Sequence, residues 1–287
     1  VCNQSLVVTL GNDGGAQIFA TSFDDGSTDN CEIISYQVAR MASACGPETA
    51  FDDFVDFSCC DLENNPIMVA LKVSDAAGNF NICMVEVTVQ DKAAPIITCP
   101  PFKELDCSED YTDTAITGTP RVDDNCELDE VYYEDNTADL NDCGWGTVIR
   151  KWIAKDKSGN ISECYQTITI ENRDPFDGAE DIDWPKTYYA TDCGAVIHPD
   201  SLPYPYGRPV LDVYDCDNVK SYFIDQAIGD NGGSACYAID REWTVIDLCV
   251  YDANVSSTIG KWTHVQRINI DDATDPVFIK GHEDEEI

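Results

Sequence analysis

Between Ile67 and Val89 the chain alternates. Ile67, Val69, Leu71 and Val73 share one side of an extended backbone, as do Cys83, Val85, Val87 and Val89, while Met84, Glu86 and Thr88 point the other way. A period of two with many β-branched residues predicts half-buried strands. The D-x-x-G-N between them, Asp75 to Asn79, is turn chemistry that closes an antiparallel hairpin. Arg150–Pro175 repeats the pattern: Asp156 falls on Asp75, Gly159 and Asn160 on Gly78 and Asn79, and Cys164 on Cys83. A third, worn copy, REWTVIDLCVYDANV, puts Trp243 on Trp152, Asp247 on Asp156 and Val255 on Cys164. Upstream, Ile97–Asp110 lies over Ile182–Ala195, with Trp184 on Cys99 and Cys193 on Cys107. Helical periodicity is absent over any useful window.

Repeats of roughly 80 to 100 residues built from short strands suit an Ig-like sandwich. The expected fold is all-β: tandem Ig-like antiparallel β-sandwich domains, stapled by disulfides. The expected domains are 1–91, 92–173 and a divergent 174–275, with 276–287 starting a further segment or a tail. Trp152 and Trp243, on matched strands, are expected in the cores, packed on a disulfide. Arg150 and Arg241 share their faces and call for buried or edge ion pairs. The sequence has no initiator Met, signal peptide or long apolar run, which suggests the ordered part of a longer exported protein without direct membrane insertion.

Fifteen cysteines point to an oxidising compartment. Zinc would want C-x2-C pairs or Cys/His clusters, and the three histidines are scattered. Position in the repeats pairs Cys2 with Cys83 and Cys99 with Cys164. The third repeat changes both of those positions together, to Trp184 and Val255, and leaves Cys193 with Cys249. The DNC cysteines are paired with the next cysteine along: Cys126 with Cys143, Cys216 with Cys236, and Cys31 with Cys59 or Cys60. Cys45 takes whichever of Cys59 and Cys60 remains. Cys107 is left over, or competes for Cys164.

The net charge of −37 excludes nucleic acid and anionic membrane as partners and suits a surface that gathers divalent cations. Asp24, Asp25, Ser27, Asp29 and Asn30 place oxygen donors within seven residues of DDGSTDNC, and Asp123, Asp124 and Asn125 return in the second repeat. Calcium takes six to eight such oxygens; an Asx-rich turn is the competing reading. Recurrence together with the charge favours Ca2+. A second candidate set lies at the repeat junctions, Asp91, Asp174, Asp271, Asp272 and Asp275. Asp75 and Asp156 are able to approach either set. An Asp-Pro that merely ends a strand explains the junction acids equally well.

DDGSTDNC followed by VALKVSDAAGNFNICMVEVTVQDKAAPIITCP resembles the repeats of giant secreted surface adhesins of Bacteroidota, the gliding-motility and filament class, related to hyalin-repeat and Ig-like modules. DDNC…CGWGTVIRKWIAKDKSGNISECYQTITIENRDP resembles a second variety of the same repeat. The likeness covers the first two repeats almost end to end. The third departs from it, with a permuted DCDN, Val250 and Tyr251 where Gly-Asn is expected, and the insertion PYPYGRP. The resemblance implies an extracellular stalk or appendage used in attachment. Its partners would be neighbouring repeats of the same chain, a homo-oligomeric filament, and a cell-surface glycan or protein ligand. No G-x-S-x-G, H-E-x-x-H or phosphate loop occurs, so no enzyme is expected. The alternative is a carbohydrate- or protein-binding module array attached to an extracellular enzyme.

Overall fold

The computed structural model describes residues 2–228 and 235–272, except the side chains of Ala235 and Cys236. Among the described residues helix is limited to α1 (Thr114–Thr117) and three short 3-10 turns. The first repeat supplies β1 (Ser5–Thr9), β2 (Gly15–Phe19), β3 (Ile33–Arg40), β4 (Phe54–Ser58), β5 (Ile67–Asp75) and β6 (Phe80–Gln90). The second supplies β7 (Ile96–Thr98), β8 (Lys103–Asp106), β9 (Arg121–Asp123), β10 (Leu128–Leu140), β11 (Gly146–Asp156) and β12 (Ile161–Glu171). The third supplies β13 (Ile182–Asp183), β14 (Tyr188–Ala190), β15 (Val210–Leu211), β16 (Val219–Ile228), β17 (Ala235–Asp247) and β18 (Lys261–Asp271).

One topology returns three times. Four-stranded sheets run β1-β6-β5-β3, β8-β12-β11-β10 and β14-β18-β17-β16, each accompanied by a two-stranded sheet, β2-β4, β7-β9 or β13-β15. In the first and third repeats the entering strand pairs in parallel with the last strand, β1 with β6 and β14 with β18, while the hairpins are antiparallel. The chain is all-β, a tandem of Ig-like antiparallel sandwiches stapled by disulfides. By compactness it divides into two units. One is Val1–Lys103 with Tyr111–Thr137 and Val148–Ile168; the other is Glu104–Asp110 with Ala138–Thr147 and Thr169–Ile287.

Alternation decides what each sheet buries. In the first unit Val69 and Leu71 of β5 and Val85, Val87 and Val89 of β6 face Val55 and Phe57 of β4 across the sandwich, closed by Phe23. On β11 the inward line is Val148, Arg150, Trp152, Ala154 and Asp156, so a guanidinium lies in a core. It is tolerated because its donors are used: Asp135 takes a bidentate pair at 2.7 and 2.9 Å, and Thr117 Oγ1 and the Tyr111 carbonyl accept at 3.0 Å each. Trp152 packs edge-on against Tyr133 and donates its Nε1–H to Gln166 Oε1. In the second unit Arg241 is held by Asp225, and Trp243 packs against Phe223 and donates to Gln266. In the first repeat a buried Arg40–Asp61 pair sits at the end of β3.

Cys2–Cys83, Cys45–Cys60 and Cys99–Cys164 are bonded. The pairings expected for the DNC cysteines are corrected: Cys126 bonds Cys59, Cys216 bonds Cys107, Cys143 bonds Cys249, and Cys31 is free and exposed. Cys107 is therefore neither left over nor a competitor for Cys164. One geometric cause underlies these corrections. Each DNC cysteine precedes a long strand, and its expected partner lies at the far end of that strand. Cys126 and Cys143 flank β10, which spans on the order of 40 Å at about 3.3 Å per residue, whereas a disulfide tolerates a Cα separation of at most about 7 Å. Strand β3 likewise separates Cys31 from Cys59 and Cys60, which follow β4 beside the Arg40–Asp61 pair. Cys216 stands before β16, which separates it from β17, where Cys236 falls outside the described side chains. Cys193 is disulfide-bonded, but not to Cys249: it follows β14, whose Ala190 pairs with Ile270 at the far end of β18 from Cys249.

The third repeat holds another correction. Leu248–Gly260 forms a long loop where the other repeats have a D-x-x-G-N turn, so the strand resumes at Lys261. The residue answering to Cys164 is His264, not Val255, which is exposed. His264 stacks on Trp184 with ring centroids 5.0 Å apart. Gln166 and Gln266, each bonded to its tryptophan, fix this register. An aromatic stack stands where the second repeat has a disulfide.

Candidate cation site

Three strand ends of the first unit converge. Strand β6 ends at Gln90, before Asp91; β9 ends at Asp123, before Asp124 and Asn125; β11 ends at Asp156. Asp91 and Asp156 are buried, at 7% and 1% exposure, and Asp124 is half-buried. One oxygen from each of the three carboxylates lies within 4.8 Å of the others.

Local hydrogen bonds aim these groups. Asp91 Oδ1 accepts from the Ala93 N–H at 3.0 Å and from Asn125 Nδ2 at 3.1 Å. Asp124 Oδ2 accepts from the Cys126 N–H at 2.9 Å. Asp156 accepts at 2.7 Å on each oxygen, from the N–H and the side-chain amide of Asn160. That amide also donates to the carbonyls of Asp91 and Ala93. The Cys59–Cys126 bridge anchors the DNC loop, and Gly14, at φ +74°, lets it approach: a Cβ there would meet the Asn125 carbonyl oxygen at 2.5 Å.

What remains is a set of unused acceptors. Asp91 Oδ2, Asp124 Oδ1 and Asn125 Oδ1 are buried without a hydrogen-bond partner, a costly condition for carboxylate and amide oxygens. Burial holds the Asp124 carboxyl above its ordinary value. The charges of Asp156, Asp91 and Asp123 push the same way, against the Cys126 N–H. The donors are all hard oxygens, the chemistry of calcium rather than of zinc or copper. Two oxygens bound to one calcium at about 2.4 Å lie no more than about 4.8 Å apart, and the three carboxylate oxygens lie within that limit. The residues fit a divalent cation.

The other predicted ligands fall elsewhere. Asp24 accepts from the Ser27 N–H at 3.1 Å and from its hydroxyl, and Asp29 accepts from the Cys31 N–H at 3.0 Å. Asp25 and Asn30 are exposed beside them, and Asp123 is exposed at the end of β9. The Asp75 carboxyl is held below its ordinary value chiefly by the Asn79 side chain, against desolvation, with the backbone N–H groups of Asn79, Ala77 and Gly78 also lowering it. Asp174 is exposed, its N–H donating to Asn172 Oδ1. Asp271 is the last residue of β18, Asp272 closes the described chain, and Asp275 lies outside the described residues.

In the second unit Asn172 takes the position of Asp91 and donates to Asp217 Oδ1 at 3.0 Å, while Asp247 is buried as Asp156 is. One carboxylate of the three has become an amide. Two contributions were missed from sequence. The Asn of D-x-x-G-N looks like a turn residue, yet Asn160 ties Asp156 to the Asp91 backbone. The glycines of Asn12-Asp13-Gly14-Gly15 carried no signal of a close approach by a loop far along the chain.

No protein-family model matches the chain, and no curated protein matches it. Among solved structures it is similar to the human desmocollin-1 ectodomain, at 12% identity over 95% of this chain with a TM-score of 0.32, and it spans 61% of that chain. It is similar to mouse cadherin-23 EC22–24 at 9% identity, over 95% of this chain and 97% of that one, with a TM-score of 0.28. Protocadherin gamma B7 cadherin domains 1–4 give 10% identity over 93% of this chain and 75% of that one, also with a TM-score of 0.28. Superpositions this loose add nothing to the sandwich topology described above.

Proposed function

We propose that this chain is a structural and adhesive segment of a large secreted cell-surface filament or stalk protein that mediates attachment to surfaces or other cells. Its repeats, bounded at 1–91, 92–173 and 174–275, are stiffened by disulfides and by Ca2+ held where consecutive repeats meet. Asp91, Asp124, Asn125 and Asp156 are the ligands in this reading, with Asn160 as the positioning residue. Asp91 comes from the end of one repeat and the others from the next, so a cation there resists bending of the junction. Neighbouring repeats of the same chain and further copies in a filament are its partners, and the surface ligand is a glycan or a protein.

The observation that carries the reading is the trio of unpartnered buried oxygens, Asp91 Oδ2, Asp124 Oδ1 and Asn125 Oδ1, inside a cluster of three carboxylates. A bridge count that suits an oxidising, extracellular compartment supports it. The test is thermal unfolding of residues 1–287, non-reduced, with calcium and with chelator. Occupancy at about 100 times the dissociation constant stabilises by roughly 2.7 kcal/mol, which appears as a higher melting temperature in calcium. Coincident melting curves would sink the calcium part of the proposal.

A further inference from the structure

Among the described residues the disulfides follow a rule that leaves one cysteine over. Each repeat begins its long strand with a DNC-type loop, and the cysteines of two such loops, Cys126 and Cys216, bond backwards. Cys126 reaches Cys59 of the first repeat, and Cys216 reaches Cys107 of the second. Both acceptors sit at the finishing end of their sandwich. Cys59 follows β4, near Asn65, whose side-chain amide donates to the Val89 carbonyl at the end of β6. The Cys107 N–H donates to the Glu171 carbonyl at the end of β12. The staple thus joins the finish of one repeat to the start of the next.

Cys31 occupies the same position in the first repeat, and it is free and exposed. The frame around it is already formed. Asp29 Oδ2 accepts from the Cys31 N–H at 3.0 Å, as Asp124 Oδ2 accepts from the Cys126 N–H at 2.9 Å. Asn79 donates its N–H and its amide to Asp75 at 2.8 Å each, as Asn160 does to Asp156 at 2.7 Å. The difference lies in cover. Asp156 is buried under the end of the preceding repeat and Asn160 also bonds the Asp91 carbonyl, whereas Asn79 and Asp29 are exposed.

We infer that Cys31 and the surface carrying Asp29, Asp75 and Asn79 dock the finishing end of a further repeat of this type, and that Cys31 forms a disulfide with a cysteine of that repeat. The bond joins the two Sγ atoms. Two thiols lose two protons and two electrons, which pass to a protein disulfide acting as oxidant by thiol–disulfide exchange; that oxidant leaves as a dithiol. The inference rests on the array reading above but not on calcium: absence of a calcium shift leaves the staple standing, and absence of the staple leaves the cation site standing.

The test is a disulfide map of the native protein, recovered without reduction and with free thiols blocked by N-ethylmaleimide before digestion. The expected result is a Cys31 peptide linked to a cysteine peptide from outside residues 1–287, flanked by a repeat of the same pattern. A maleimide-labelled Cys31 overturns the inference. So does a Cys31–Cys31 link, a link to another cysteine of residues 1–287, or a link to a peptide without the repeat pattern. On residues 1–287 alone, a thiol reagent should modify Cys31 without denaturant, and Cys31→Ser should abolish that reaction while leaving the melting temperature unchanged. A thiol that reacts only after unfolding counts against the exposed dock.

Discussion

Replacing Asp124 with asparagine should have opposite effects with and without calcium. Asparagine keeps the shape and can still accept from the Cys126 N–H, but it removes one of three clustered charges. With the oxygens within 4.8 Å of one another, each like-charge pair costs on the order of 3.5 kcal/mol at an effective dielectric of about 20. Protonation sets a ceiling on that penalty. An aspartate with an unperturbed pKa of 3.8 can escape by taking a proton, so holding it ionised at pH 7 costs at most about 4.4 kcal/mol. In chelator at pH 7, Asp124→Asn should therefore stabilise by roughly 1–3 kcal/mol, a few degrees of melting temperature. The pH dependence has a definite sign. The folded pKa is raised, so the native state binds the proton more tightly, and stability falls as pH rises from 3.8 through the folded value. The penalty is complete above that value, and at pH 5 its ceiling is only about 1.6 kcal/mol, so the variant's advantage shrinks there. In calcium the order reverses, because the wild type gains the binding energy and the variant has lost a ligand. Calorimetry of residues 1–287 in both buffers, at pH 7 and pH 5, reads all four values. A variant less stable than wild type in chelator would show that Asp124 serves only as a turn cap. An unchanged calcium shift would show that the cation does not bind there.

Two further perturbations test what holds the sandwiches. Removing the Cys45–Cys60 bridge with paired serines opens a loop of sequence separation 15 and should cost about 3 kcal/mol in urea unfolding; no change in midpoint would mean that the insertion is held by other contacts. Asp135→Ala strands the fully buried Arg150 guanidinium and should cost about 3–5 kcal/mol. Glu163→Ala, which breaks the more exposed pair with Lys151, should cost under about 1 kcal/mol. Equal effects from the two would refute the burial argument.

Much of this protein is legible in its sequence. Alternation from Ile67 to Val89 and from Arg150 to Ile170 locates hairpins because sheet faces have a period of two. Arg150 and Arg241, two positions from a tryptophan, announce buried guanidinium groups, and Asp135 and Asp225 meet them. The worn third repeat misled because a loop of unknown length, Leu248–Gly260, separates its strands: spacing alone put Val255 where His264 stands.

The disulfides mark the limit. Cys2–Cys83 and Cys99–Cys164 join the first and last strands of one repeat, so position in the repeat suffices to pair them. Cys126, Cys216 and Cys31 are close along the chain to the cysteines expected as their partners, but a whole strand carries those to the far end of the sandwich. The cation site obeys the same logic. The sequence by itself determined which residues carry oxygens and which end strands. Only the tertiary structure decided that Asp91, Asp124 and Asp156 meet while Asp24, Asp25 and Asp174 do not, because strands fold to and fro and bring together residues that are tens of positions apart.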